Sequence, residues 1–231
     1  MGASYRQFCP VAKAMELLDE RWTVLLVREL IMGSDRFTDL RRGLPRMSPT
    51  LLSRRLHQLA AAGLVTRDEA GGEVRYRLTS AGLELRPVVE ALGTWGVRWI
   101  PALPDGDLDP RLLMWDMHRN VDRDRVPGRR TVVHFSFSDV GARLARWWIV
   151  ITPGEVDVCD DDPGDEPDAV VRTTVRVLTE VWRGDVSWER ACRSGSMEVD
   201  GPREVRADLP RWFTLSPFAG VHRAASPLPG R

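Results

Sequence analysis

At 231 residues the chain is long enough for two modest domains, each with its own core. Its 43% hydrophobic and 29% charged residues are those of an ordinary globular protein. No apolar run approaches the ~18 residues that span a bilayer, and the polar opening Met1-Gly-Ala-Ser-Tyr-Arg-Gln7 lacks the pattern of a signal peptide. Cys9, Cys159 and Cys192 cannot all pair within one chain and have no zinc-ligand spacing, which favours the reducing cytoplasm. The net charge of zero hides an asymmetry: residues 1–100 carry 15 Lys+Arg against 11 Asp+Glu, and residues 101–231 carry 18 against 22. An anionic partner would choose the first half.

From the amino end, Val11, Met15 and Leu18 repeat with helical period, and Trp22, Leu26 and Leu30 repeat again after the charged corner Asp19-Glu-Arg21. A short helix is predicted after Asp35, with Phe37 and Leu40 turned inward. Ser48 is suited to an N-cap and Pro49 to a first helical position, so a further helix begins there, with Leu52, Leu56 and Leu59 inward and Gly63 as its stop. Leu64 to Arg67 and Val74 to Leu78 read as strands of a hairpin around Gly71-Gly72. Thr79 or Ser80 then caps one long helix carrying Leu85, Val88, Val89, Leu92, Trp95 and Trp99.

Helix, helix, turn, helix, hairpin is the plan of a winged helix, and the helix after Ser48 has a small polar outward face that a major groove admits. Thr50, Ser53, Arg54 and His57 form that face. Arg54 suits a guanine edge, while Thr50 and Ser53 are short donors for bases or phosphates. Arg46, Ser48 and Arg55 join the expected contact set around the helix, as do Arg67, Arg75 and Arg77 on the wing, where they would neutralise phosphate or approach the minor groove. The apolar stripe Val88, Leu92, Trp95 and Trp99, with Val11 and Met15 on the first helix, is expected to bury itself in a symmetric homodimer. Cys9, at the expected N-cap of that first helix with Arg6 and Lys13 nearby, is the candidate redox-sensing thiol.

Residues 5–99 resemble the HxlR-type family of winged-helix regulators. The resemblance is carried by Cys9-Pro-Val-Ala12, Arg21-Trp-Thr-Val-Leu-Leu-Val-Arg-Glu-Leu30, Arg36-Phe-Thr-Asp-Leu-Arg41, Ser48-Pro-Thr-Leu-Leu-Ser-Arg-Arg-Leu56, Gly63-Leu-Val65, Tyr76-Arg-Leu-Thr79 and Leu85-Arg-Pro-Val-Val89, with Trp95-Gly96 and Trp99. It implies a homodimer that represses or activates transcription from duplex DNA, and it allows a cysteine in the Cys9 motif to sense oxidants. Two departures stand out. Asp19-Glu20 replaces small residues before Arg21-Trp22, and the wing is shorter and lacks a proline-containing segment.

The stretch Ile100 to Pro110 holds three prolines, a glycine and three aspartates, so residues 101–110 read as a linker. Residues 111–213 form the second expected domain, mixed α and β. Leu112, Leu113, Trp115 and Val121 suggest an opening helix. Thr131, Val133, Phe135 and Phe137 share one face of a strand, and Arg146-Trp-Trp-Ile-Val-Ile151 and Val156/Val158 continue an antiparallel series. After the acidic turn Asp160 to Asp168 come a strand at 169–171, a helix with Val177, Leu178, Val181 and Trp182, a helix from Ser187 to Arg193, a strand at 197–199 and a last helix to Phe213. Residues 214–231 are expected to be a partly mobile tail. The fold class is therefore α+β.

This second half, above all Asp168 through Gly201 with Trp182-Arg-Gly-Asp185 and Gly195-Ser-Met-Glu-Val-Asp-Gly201, resembles the sterol-carrier-protein-like lipid-binding fold. The resemblance implies a sheet backed by helices around an apolar tunnel. Six of the nine tryptophans fall in this half, and tryptophans fill cores as readily as they line pockets. The expected ligand walls are Phe135, Phe137, Trp148 and Val150 on the sheet and Leu178, Trp182, Trp188 and Met197 from its cover. His57, His118, His134 and His222 show no metal spacing, and neither a phosphate loop nor a nucleophile elbow appears, so no cofactor, metal or enzymatic activity is expected. Two functional readings remain: a DNA-binding regulator modulated by an apolar small molecule, and a carrier of hydrophobic metabolites whose first half serves only dimerisation.

Overall fold

The computed structural model describes residues 4–100 and 103–224. The chain divides into two compact units, Met1–Gly96 and Val97–Arg231. The expected boundary at residue 100 thus lies four residues late, and the last turn of a helix belongs to the second unit. Residues 101 and 102 of the expected linker, and residues 225–231 of the expected tail, lie outside the described residues.

In the first unit four helices, α1 (Pro10–Leu18), α2 (Thr23–Ile31), α3 (Phe37–Gly43) and α4 (Pro49–Ala61), precede the hairpin β1 (Val65–Ala70) and β2 (Glu73–Leu78). The core is the leucine set the helical period picks out: Leu26, Leu40, Leu52, Leu56 and Leu59 are each no more than 3% exposed. One expected helix is in fact two. Thr79 caps α5 (Ser80–Leu83) by accepting a hydrogen bond from the Gly82 amide at 3.2 Å, and α6 runs Arg86–Trp99 after a turn at Glu84 and Leu85. Pro87 accounts for the interruption, because in an unbroken helix its ring would meet the carbonyl of Leu83.

The second unit begins in earnest at α7 (Pro110–His118), capped by Asp109, which accepts from the Arg111 amide at 3.0 Å. A five-stranded sheet follows, built from β3 (Thr131–Phe137), β4 (Arg146–Ile151), β5 (Val156–Cys159), β6 (Ala169–Thr173) and β7 (Glu198–Asp200) in the order β5-β4-β3-β6-β7. All neighbours are antiparallel except β3 and β6. Between β6 and β7 lie α8 (Val175–Trp182) and α9 (Trp188–Arg193), and α10 (Arg203–Trp212) closes the unit. Val133, Phe135, Trp147 and Ile149 join Leu178, Val181, Leu209 and Trp212 in the larger core. The described part of the tail is tied down: the Ser216 amide donates to the Trp182 carbonyl at 3.0 Å, and Arg223 bonds Asp185 through Nε at 2.9 Å.

On the opposite sheet face Val132, Trp148 and Val150 form a second small cluster, and the His134 ring stacks on Trp148 with centroids 4.7 Å apart. Burial first, then the charges of Arg146 and Arg172, hold His134 below its usual pKa, against the opposing pull of Asp162. As pH falls below about 6.5 the unfolded chain takes up this proton before the folded one, so the stability His134 leaves intact at neutral pH is lost on the acid side. His134→Phe, which keeps the stack, is expected to lessen the fall in melting temperature between pH 7 and pH 5. An identical fall in both proteins would contradict this.

Candidate nucleic-acid interface

Helix α4 is fixed by local chemistry at both ends. Ser48 accepts from the Leu51 amide at 3.3 Å and Pro49 supplies the first helical residue, while Gly63 leaves the helix with φ of +73°. With the leucines turned inward, Thr50, Ser53, Arg54 and His57 are all exposed. Among the described residues no side-chain partner holds Arg54 or His57. Arg46 is exposed in the preceding turn, and the Ser48 hydroxyl is engaged by the cap.

Arg55 corrects its expected place at phosphate. It is 5% exposed, pairs with Glu20, donates from Nη1 to Gln58 at 2.6 Å and from Nε to the Arg21 carbonyl at 3.3 Å. Three residues after Leu52 and four before Leu59, it shares the inward flank of α4. Glu20, in the charged corner before Trp22, was the sequence signal for this role: it supplies the carboxylate that a buried guanidinium needs.

The wing departs from expectation in its pairing. Gly71 and Gly72, with φ of +61° and +82°, form the two-residue turn that suits the twist of a hairpin. Arg67 bonds Glu69 at 3.1 Å and Arg77 bonds Asp68 at 3.0 Å; Arg75 bonds Asp35 at 2.7 Å and Glu73 at 3.0 Å. None of the three arginines stands free for phosphate. Arg75 instead pins the wing to the segment before α3, where the Tyr76 amide also donates to the Asp35 carbonyl at 2.7 Å. The hydrogen bond to Asp35 raises the Arg75 pKa further, so it is a permanent cation.

Helices α1 and α6 contain no buried residue although both are strongly apolar. Val11 is 69% exposed, Leu92 52% and Trp95 51%; Met15 and Val88 are exposed and Trp99 is half-buried. Phe8, fully exposed just before α1, was not foreseen as part of this surface. Cys9 is a half-buried free thiol at the N-cap of α1. Lys13 is turned to Glu16 at 2.9 Å rather than left for that thiol.

In the second unit the expected ligand walls separate. Cross-strand register sets Phe135 opposite Trp147 and His134 opposite Trp148, so Phe135 and Phe137 face the helices while Trp148 and Val150 face the other way. These four therefore do not form one wall. Leu178, Trp182 and Trp188 do come together, with Met117, Val181 and Phe213, around a cavity of about 180 Å³. Trp188 and Pro210 also border an open groove of about 800 Å³ that includes Cys192, Met197 and Val199.

A capped helix with a free polar face, set beside a hairpin in a helix-turn-helix, defines a DNA-binding transcriptional regulator of the winged type. The HxlR-like helix-turn-helix family profile matches residues 17–104. The chain is 37% identical over 98 residues to the HTH-type transcriptional regulator YvaP of Bacillus subtilis, a match covering 41% of this chain and 91% of the relative. A Synechocystis HTH-type regulator is 38% identical over 95 residues, covering 40% and 70% of the respective chains. Among solved structures, the reduced form of the regulator YodB from B. subtilis is 30% identical, with a TM-score of 0.35 over 39% of this chain and 92% of that one. The chain belongs to the HxlR-like helix-turn-helix family. Among the described residues no helix is long and apolar enough to cross a membrane.

Proposed function

We propose that the chain is a cytoplasmic, non-enzymatic homodimer that reads an inverted-repeat operator through α4, one reading helix for each half-site. The observation that carries this is the exposed row Thr50, Ser53, Arg54 and His57, unpaired within the described residues, on a helix whose opposite face is locked into the core. A bidentate arginine on guanine contributes about 1–3 kcal/mol of discrimination, so Arg54→Ala should relax specificity at one base pair of each half-site. The exposed apolar residues of α1 and of α6 support dimerisation, because apolar side chains left in water gain by covering one another across a two-fold axis. Two-fold symmetry then sets half-sites about one helical turn apart.

The cavity beside Leu178, Trp182 and Trp188 and the adjoining groove support an apolar small-molecule effector in a sterol-carrier-like second domain. To regulate, such a ligand must favour one DNA-binding state; a coupling of about 1–3 kcal/mol changes operator affinity about 5- to 150-fold. Cys9 at its helix N-terminus supports a second input through oxidation.

Genomic DNA fragments captured by the purified chain test the reading directly, with the capture repeated in the presence of diamide and of a panel of hydrophobic metabolites. Enrichment of one inverted repeat is expected. A metabolite that binds without altering capture would leave a carrier of hydrophobic molecules, and diamide acting equally on Cys9→Ser would remove the sensor. Capture with no sequence preference would overturn the operator itself.

A further inference from the structure

The hairpin of the first unit carries as many carboxylates as guanidiniums. Arg67, Arg75 and Arg77 stand against Asp68, Glu69 and Glu73, and every charged residue from Asp68 to Glu73 around the Gly-Gly turn is an acid. The pairing is geometric as well as numerical. Register places Asp68 opposite Arg75 and Thr66 opposite Arg77, which puts Asp68, Glu73, Arg75 and Arg77 on one face of the ribbon, with Arg67 and Glu69 on the other. On the first face Arg77 holds Asp68 at 3.0 Å, and Arg75 bridges Glu73 at 3.0 Å and Asp35 at 2.7 Å. On the second, Arg67 holds Glu69 at 3.1 Å. Arg36, beside the hairpin, bonds Glu73 at 3.2 Å.

Binding to a duplex is driven by the release of counterions as protein cations replace them at phosphate. A ribbon whose cations already face carboxylates releases few ions, and its acidic tip is repelled by the strand it would approach. Exposed ion pairs are individually weak, and a phosphate can displace a carboxylate from an arginine. The displaced carboxylate nevertheless remains on the same short hairpin, a few ångströms from the phosphate, where like charges oppose each other by about 1 kcal/mol even in water.

We propose that the wing carboxylates Asp68, Glu69 and Glu73 are specificity determinants: they neutralise the wing arginines in place, suppress sequence-independent grip, and leave recognition to the face of α4. The inference rests on the reading of α4 given above. It assigns the acids a role by opposition, since a protein discriminates among sites as effectively by weakening the wrong ones as by strengthening the right one.

The test is a potassium chloride titration of binding to a fluorescein-labelled, random-sequence 30-bp duplex. In the charge-only variant Asp68→Asn/Glu69→Gln/Glu73→Gln, Arg67 and Arg77 lose their carboxylates while Arg75 stays on Asp35, so binding should tighten on the order of tenfold and the log–log salt slope steepen by about 2 per chain. The pair-deleting variant Asp68→Asn/Arg77→Gln should leave the slope as it is, because it removes a cation that meets no phosphate together with its own neutraliser. An unchanged slope in the first variant, or a slope flattened by about 1 in the second, overturns the proposal. Arg54→Ala, measured on the genomic site the chain enriches, separates the two readings: it should lose discrimination at one base pair of each half-site, and if it does not while the wing variants behave as stated, α4 has been misread and the wing has not.

Discussion

Gly43→Ala is expected to destabilise the first unit by about 3 kcal/mol or more, far beyond the usual effect of one methyl group. A Cβ at this position would lie 1.8 Å from Glu29 Oε2 and 2.2 Å from its Cδ, so one of the two must move. Glu29 cannot move cheaply. It is fully buried, its carboxylate accepts from Arg28 Nη2 at 2.5 Å and from the Ser34 hydroxyl at 3.3 Å, and displacing it would separate a charge from its partners in a dry interior. Its backbone carbonyl also accepts from the Ser34 amide at 3.1 Å, so the same residue organises the turn between α2 and α3. Hydrogen exchange of α2 and α4 amides reports on this unit without interference from the other. Protection there should fall sharply in Gly43→Ala, and much less when Glu29→Ala has already emptied the space. A cost that is the same with and without Glu29 would show that the clash is not its origin.

The second large effect is asymmetric. Glu20→Ala should cost about 2–3 kcal/mol, because it strands the Arg55 cation, whose side chain is only 6% exposed, with two uncharged partners, the Arg21 carbonyl and Gln58. Arg55→Met should cost about 1 kcal/mol or less, since methionine fills similar space and the Glu20 carboxylate, 29% exposed, can turn to water. The double variant should resemble Arg55→Met alone. Melting curves of the three proteins decide the matter, and equal costs for the two single changes would contradict the account.

How much of this was legible in the sequence follows the range of the interactions. Helix α4 was readable from Ser48 to Gly63 because its cap, its proline start, its leucine period and its glycine stop all act within a turn or two of chain. The single helix expected from residue 80 to residue 99 failed on an equally local rule, the clash that Pro87 imposes one turn back. Arg55 escaped because its partner is Glu20, brought to it by packing of helices rather than by spacing along one. In the second unit the alternation of β3 correctly placed Val133 and Phe135 together, but the unbroken apolar run Trp147 to Ile151 carries no phase of its own. Pairing with β3 supplies that phase, which moves Trp148 and Val150 away from the helices and brings in the overlooked Trp147. The wing charges were misjudged for the same reason: which carboxylate meets which arginine is a property of register.

The central claim is that the outward face of α4 reads DNA sequence. It is tested most directly by comparing affinity for the genomic site the chain enriches with affinity for a random duplex of equal length, at one salt concentration, in the native chain and in Arg54→Ala. The account predicts at least about a thousandfold preference for the native chain, reduced by about 1–3 kcal/mol in the variant through loss at a single base pair of each half-site. Equal affinity of the native chain for the two duplexes, or an undiminished preference in Arg54→Ala, would contradict it.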